Sequence, residues 1–238
     1  MKRIIFFLCV WLGFLNLSAQ TTNQKSFIGI SVGPSFPVGD FANKSVSNEN
    51  SGLATTGGFL NLNYGYRFSN NFGAIAILRG SIYGVDSQSL KNNYSLPDGS
   101  GGSISFDAGT WKTGAVMVGL FQGISLGTNK DFVLEARGAI GVQRTSSPSL
   151  KIKGSITGFG TFEGEQKSVS ATAFAYLVGL GLNYGLGNNL SLKLHGDYSG
   201  SNPKFQDITA SSYAAGTKIT SKQNINTIDV GVGLALNF

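Results

Sequence analysis

His195 is the single histidine of the 238-residue chain. It stands two residues before Asp197 and four after Ser191. In extended backbone all three project from one face, so a nucleophile, a base and an orienting carboxylate can be drawn there. The same face of other segments carries more charge. Reading every second residue, Arg67, Arg79, Glu135, Arg137, Lys193, His195, Asp197 and Asp229 fall on a face that also carries many Gly, Ala and Asn residues. Isolated charges of this kind are very costly to bury, so they must pair. Two outcomes follow: an ion-pair and hydrogen-bond plug, or the lining of a narrow polar pore. A metal centre is not expected, because there is no second His and no carboxylate cluster at ligand spacing. No catalytic residue, metal or cofactor is assigned.

The elements that place these charges are strands. Ile225 to Phe238 reads INTIDVGVGLALNF. Ile228, Val230, Val232, Leu234, Leu236 and Phe238 lie on one face, and Thr227, Asp229, Gly231, Gly233, Ala235 and Asn237 on the other. Fourteen alternating residues exceed the usual soluble strand and suit one that crosses a bilayer at a tilt. Seven further segments have the same construction: Phe27–Phe36, Leu53–Phe68, Phe72–Val85, Thr110–Leu126, Phe132–Arg144, Val169–Leu186 and Leu190–Tyr198. Phe72–Val85 is the least regular, since Ile75 and Ile77 compete with Phe72, Leu78 and Ile82 for the outer face. Arg79 decides it. A cation facing lipid at mid-bilayer costs about 2–4 kcal/mol, so Arg79 turns inward and takes Ile75 and Ile77 with it. Gln122 is the one misfit on the outer face of its strand.

Three connections are tight: Ser69-Asn70-Asn71, Gly127 to Asp131, and Gly187-Asn188-Asn189. Four are long: Pro37–Gly52, Asp86–Gly109, Ser146–Lys167 and Ser199–Asn224. Short and long alternate strictly. The third long loop is rich in β-formers, Ile152, Ile156, Phe159 and Phe162, which allows it to extend its flanking strands. The glycine run Gly99 to Gly102 follows no strand-to-helix pattern and is a loop, not a phosphate cradle. Inward Gly179, Gly181, Gly231 and Gly233 are expected to leave room for Arg and Lys side chains. Phe36, Phe68, Phe72, Phe132, Tyr184, Tyr198 and Phe238 are expected to form aromatic girdles.

Composition agrees. Charged residues make up 13% of the chain, against about 25% for soluble domains. Met1 to Ala19 reads as a cleaved secretory signal peptide: Met1-Lys2-Arg3, an apolar run from Ile4 to Leu15, and Leu17-Ser18-Ala19 before Gln20. Cleavage removes Lys2, Arg3 and Cys9, so the net charge falls from +6 to +4 and no thiol remains. The remaining cations are scattered, which excludes nucleic-acid binding and leaves weak attraction to anionic lipopolysaccharide.

The SAQ region, the eight alternating strands and the terminal VGVGLALNF resemble the small outer-membrane β-barrels of diderm bacteria, the OmpA/OmpX-like family. The resemblance implies an all-β, eight-stranded antiparallel up-and-down transmembrane barrel over residues 20–238, with short periplasmic turns and long extracellular loops. It implies that Val230, Val232, Leu234, Leu236 and Phe238 form an assembly signal. The partners it implies are outer-membrane lipids, lipopolysaccharide, periplasmic chaperones and the barrel-insertion machinery. Lipid-processing barrels of this size work near the outer rim, whereas His195 falls mid-barrel. The expectation is therefore a non-enzymatic outer-membrane protein acting structurally or in adhesion through its loops, with a small-solute pore as the alternative. Its extracellular partner is not identified.

Overall fold

Alternating apolar and small or polar side chains produce eight long strands that close on themselves. The computed structural model describes residues 24–45, 47–69, 72–93, 102–126, 132–156, 160–208 and 219–238. The barrel strands are β1 (Ser26–Val38), β2 (Ala54–Arg67), β3 (Phe72–Val85), β5 (Trp111–Leu126), β6 (Phe132–Ser146), β9 (Ser170–Gly187), β10 (Leu190–Ser201) and β13 (Ile225–Asn237). Each pairs antiparallel with its chain neighbour, and β13 returns to β1 from Phe27↔Asn237 to Val38↔Asn226. The seam runs to the last residue, where Ser26 and Phe238 exchange two backbone hydrogen bonds of 2.8 Å. Closure removes both sheet edges, the condition a sheet must meet inside a bilayer.

The outer wall is apolar and uncovered. Val118 is 61% and Phe174 62% exposed, while their chain neighbours Met117 and Ala175 are buried. A continuous apolar belt of this kind faces lipid, not water. Ile75 and Ile77 are buried and Leu78 and Ile82 exposed, so Arg79 does set the facing of β3. Gln122 stays on the outer face. Of the girdle residues, Phe36, Phe68, Phe72, Phe132, Tyr184 and Phe238 are exposed, whereas Tyr198 is half-buried with its ring 6.1 Å from that of Tyr176.

At the turn end, Gly187, Asn188 and Asn189 have φ of +84°, +48° and +67°. Glycine and asparagine tolerate this left-handed backbone. The signal-peptide segment, Asn70-Asn71 and the Gly127–Asp131 turn lie outside the described residues, as do Phe159 and the glycines at 99 and 101.

The loop end is more ordered than its sequence implied. Ser146–Lys167 does not extend β6 and β9. It forms a separate hairpin, β7 (Leu150–Ile156) with β8 (Gly160–Gln166), which joins β4 (Ser103–Ala108) from the preceding long loop in a three-stranded sheet. The reason is alternation of its own: Lys151 and Lys153 on one face of β7, Leu150 and Ile152 on the other. The last long loop contributes a smaller pair, β11 (Lys204–Ile208) and β12 (Ile219–Lys222). A short helix α1 (Ser87–Asn93) follows β3. Asp86 caps it, accepting from the Ser89 backbone N–H at 3.2 Å. Lys44 donates to Asp86 at 2.9 Å and holds that carboxyl below the usual carboxylate range.

Candidate functional site

The interior of the barrel gathers buried charge, and the strand register decides which charges meet. Asp197 on β10 and Asp229 on β13 are directly opposed cross-strand partners. Two carboxylates in that relation repel. Each is answered by its own arginine. Arg137 on β6 approaches Asp197 as a fork, with Nε 3.0 Å from Oδ1 and Nη2 2.6 Å from Oδ2. Arg79 on β3 places Nη2 2.6 Å from Oδ2 of Asp229. Its Nε donates to Ser81 Oγ at 3.2 Å, and its guanidinium lies 4.8 Å from the Phe59 ring centroid. Asp229 is fully buried and also accepts from Ser35 Oγ and from Thr227 Oγ1. Ser35 continues to the Tyr83 hydroxyl at 2.9 Å, and Thr227 to Ser199 at 2.9 Å.

A third pair lies nearer the turns. Lys193 Nζ is 3.4 Å from Glu135 Oε2, which also accepts from Asn183 at 3.1 Å. Among the described residues, three buried cations (Arg79, Arg137, Lys193) thus face three buried carboxylates (Asp229, Asp197, Glu135). Arg67 stands apart from them at the turn end. It donates to Asn237 Oδ1 and to the Gln24 carbonyl, both at 3.1 Å, and lies over the Phe27 ring.

His195 joins the Arg137–Asp197 pair. Its Nδ1 is 2.9 Å from Arg137 Nη2 and 3.0 Å from Asp197 Oδ2. Nε2 is buried and makes no hydrogen bond. Ser191 does not reach this group. Four residues of strand separate it from His195, about 13 Å at 3.3 Å per residue, and its hydroxyl accepts from Asn237 at 2.9 Å. Among the described residues, no hydroxyl or thiol hydrogen-bonds to the imidazole.

The inward glycines make room, but for different side chains than expected. A Cβ on Gly179 would stand 1.9 Å from Asp197 Oδ1, and one on Gly231 2.4 Å from His195 Nε2. The carboxylate and the imidazole fill the space, and the arginines then reach them from the opposite wall.

The inner face is also less polar than its sequence implied. Phe27, Ile75, Ile77, Met117, Phe121 and Leu177 form an apolar cluster inside the barrel. Phe27 and Phe121 stand on β1 and β5, separated around the wall by β2 and β3, yet their rings meet edge-on at 5.6 Å. The lumen is crossed by aromatic rings there, and Lys193 Nζ lies 4.1 Å over the ring of Phe27. A second apolar cluster closes the loop end. Phe41, in a helical turn over Gly39–Ala42, packs at 5.1 Å on Tyr83 and 5.5 Å on Trp111, and Trp111 meets Phe205 at 5.9 Å. Trp111 Nε1 donates to the Gly52 carbonyl at 2.9 Å. Phe41 and Phe205 belong to long loops that were expected to face outward, and they face in because their rings bury against the mouth. Nothing in local alternation marks them, since each is a lone aromatic in a polar stretch.

No family model matches the chain, and no curated protein matches it. Solved structures do. The outer membrane protein OprG from Pseudomonas aeruginosa is similar at TM-score 0.50 and 16% identity, over 90% of this chain and 96% of that one. The Neisserial surface protein A is similar at 0.46 and 11%, over 92% and 100%. Ail, the attachment invasion locus protein of Yersinia pestis, is similar at 0.42 and 18%, over 89% and 99%. At these identities the likeness concerns the fold, and the fold is that of the small eight-stranded outer-membrane barrels.

Proposed function

We propose that the chain is a non-enzymatic outer-membrane barrel whose lumen is a closed strut and whose activity, structural or adhesive, is carried by the surface at its loop end. The observation that supports this most is the matching of buried charges. Each interior carboxylate has a cation within 3.4 Å, and aromatic rings cross the interior near the turns and again at the mouth. An eight-stranded barrel has an interior just wide enough for side chains to fill. A pore lining would instead leave charge of one sign facing a water-filled path.

The loop end offers a different surface. The β4–β7–β8 sheet projects Asp107, Lys151, Lys153, Glu163 and Glu165 from one face. Exposed polar loops on a rigid scaffold are where recognition residues concentrate. Export by a cleaved signal peptide, and insertion through the assembly signal ending in Phe238, complete the reading. Conductance across planar bilayers tests it. The refolded protein is expected to stay silent, and reproducible discrete openings favour the small-solute pore instead.

A further inference from the structure

The outward face of the eight barrel strands is apolar, small or uncharged at every described position except two, Lys112 and Arg144. Both are exposed. They are also neighbours. Lys112 on β5 pairs with Ser146 on β6, and Arg144 is two residues from that Ser146 on the same face. Diagonal positions of this kind place side chains of their length within reach of one ligand.

Their height on the wall is set by what flanks them. Toward the middle of the barrel come Val116 and Val142, both over 50% exposed. Level with Lys112 and one step beyond Arg144 come Ser146 and its cross-strand partner Ser170, which share a hydrogen bond of 2.8 Å on the outside of the wall. The two cations stand where the apolar belt gives way to hydroxyls. A cation on the lipid face is costly at mid-bilayer and nearly free near the interface, so this is the level of lipid headgroups. Among the described residues neither cation has a carboxylate partner in the protein. Lys112 also lines a shallow, open groove of about 520 Å³ on the outer wall, together with Val32, Gly58, Leu60, Gly80 and Ile82. Charge at one end and an apolar trough leading from it are the two halves of a phosphorylated acyl lipid.

We propose that Lys112 and Arg144 bind a phosphate of lipopolysaccharide in the outer leaflet, with an acyl chain lying in the groove. The choice of leaflet rests on the outer-membrane reading above, in which the long loops face outward. The groove belongs to the barrel wall, not the lumen, so the proposal is independent of whether the lumen conducts.

The test uses the full mature chain refolded in neutral detergent, with binding of rough-type lipopolysaccharide measured by native mass spectrometry. Wild type is expected to retain one lipopolysaccharide, and K112Q/R144Q to bind it roughly thirtyfold more weakly, the loss that two surface cations account for. K112R/R144K, which keeps both charges, is expected to remain within about threefold of wild type. Gel-mobility shift on heating confirms that each variant is folded. A protein that dissolves without detergent sinks the outer-membrane reading, whereas folded protein that binds equally with and without the cations sinks only this proposal. Equal binding of dephosphorylated lipopolysaccharide overturns it as well. So does phosphatidylglycerol bound as tightly as lipopolysaccharide, which would make the site a general anionic-lipid contact.

Discussion

Replacing Arg79 by Met removes the one cation paired with Asp229 among the described residues and keeps the length of the side chain. Asp229 is fully buried, and after the substitution its remaining partners are the hydroxyls of Ser35 and Thr227. Directly across the ladder sits Asp197, a second carboxylate. Stranding one member of a buried pair costs about 3–5 kcal/mol, and the opposed carboxylate puts R79M at the upper part of that range. Asp229→Asn is the milder half of the cycle. It leaves Arg79 its existing contacts with Ser81 and the Phe59 ring, and a desolvated cation over an aromatic face keeps about 2 kcal/mol there. We expect R79M/D229N to cost less than R79M alone, with a coupling energy of about 1–3 kcal/mol. Guanidinium unfolding from detergent micelles gives the numbers. Trp111, buried in the cap at the mouth, supplies the fluorescence, and a gel-mobility shift confirms that native barrel is the starting state. A loss below about 1 kcal/mol for R79M, or strictly additive single effects, would refute the view that these two groups stabilise the interior as a pair.

Three other outcomes follow from the geometry. Gly179→Ala puts a methyl against the Asp197 carboxylate and should lower the thermal midpoint by the equivalent of about 1–3 kcal/mol, while Gly138→Ala, whose Cβ meets nothing within 4 Å on the lipid side, should stay within about 0.5. Phe41→Ala empties the centre of the mouth cluster; a destabilisation of about 3 kcal/mol is expected without conductance, because the Phe27–Phe121 crossing and the ion pairs lie below it. Asp86 has a folded pKa below its unfolded value, so its support of α1 is present above about pH 4 and is lost as the pH falls through the lower folded pKa. Protection of the Ser89 amide, taken as its exchange rate relative to the intrinsic rate at each pH, should therefore fall on acidification in wild type but change little with pH in D86N.

The barrel was legible because its rule is local. Alternation, a charge that cannot face lipid and three tight turns fix strand number, facing and closure without any long-range information. Arg79 settling the facing of β3 is the clearest case. The inward set of charges was legible for the same reason, as was Asp229 in the last strand. Which charge meets which was not. The pairing of Arg79 with Asp229 joins β3 to β13 across the lumen, and it depends on the tilt of all strands together. The inner apolar cluster was missed because Phe27, Met117, Phe121 and Leu177 are few on any one strand. They become a cluster only when the sheet curls. Phe41 and Phe205 were missed because loops carry no period to read. The β4–β7–β8 sheet was half visible: Ile152, Ile156 and Phe162 marked β7 and β8 but not β4, and the alternation of β7 and β8 makes a hairpin rather than longer barrel strands.

These pairs also bear on how the last strand finds its place. A strand of alternating Val, Leu and Gly can slide, since most registers bury and expose similar residues. A slip of one residue in β13 would put Asp229 toward lipid and Val230 into the lumen. A slip of two would keep the facing but move Asp229 about 6.6 Å along the wall, beyond the reach of the Arg79 guanidinium. Only the observed register gives Asp229 its arginine and sets it opposite an Asp197 already neutralised by Arg137. Buried ions are weak contributors to net stability, and specifying one register is the role in which they are best attested. On this account the R79M/D229N chain separates the two roles. It recovers much of the stability lost by R79M, yet refolds to a lower yield of heat-modifiable barrel because the closing strand has lost its index. If its refolding yield equals that of wild type, the charges hold the barrel together but do not guide its closure.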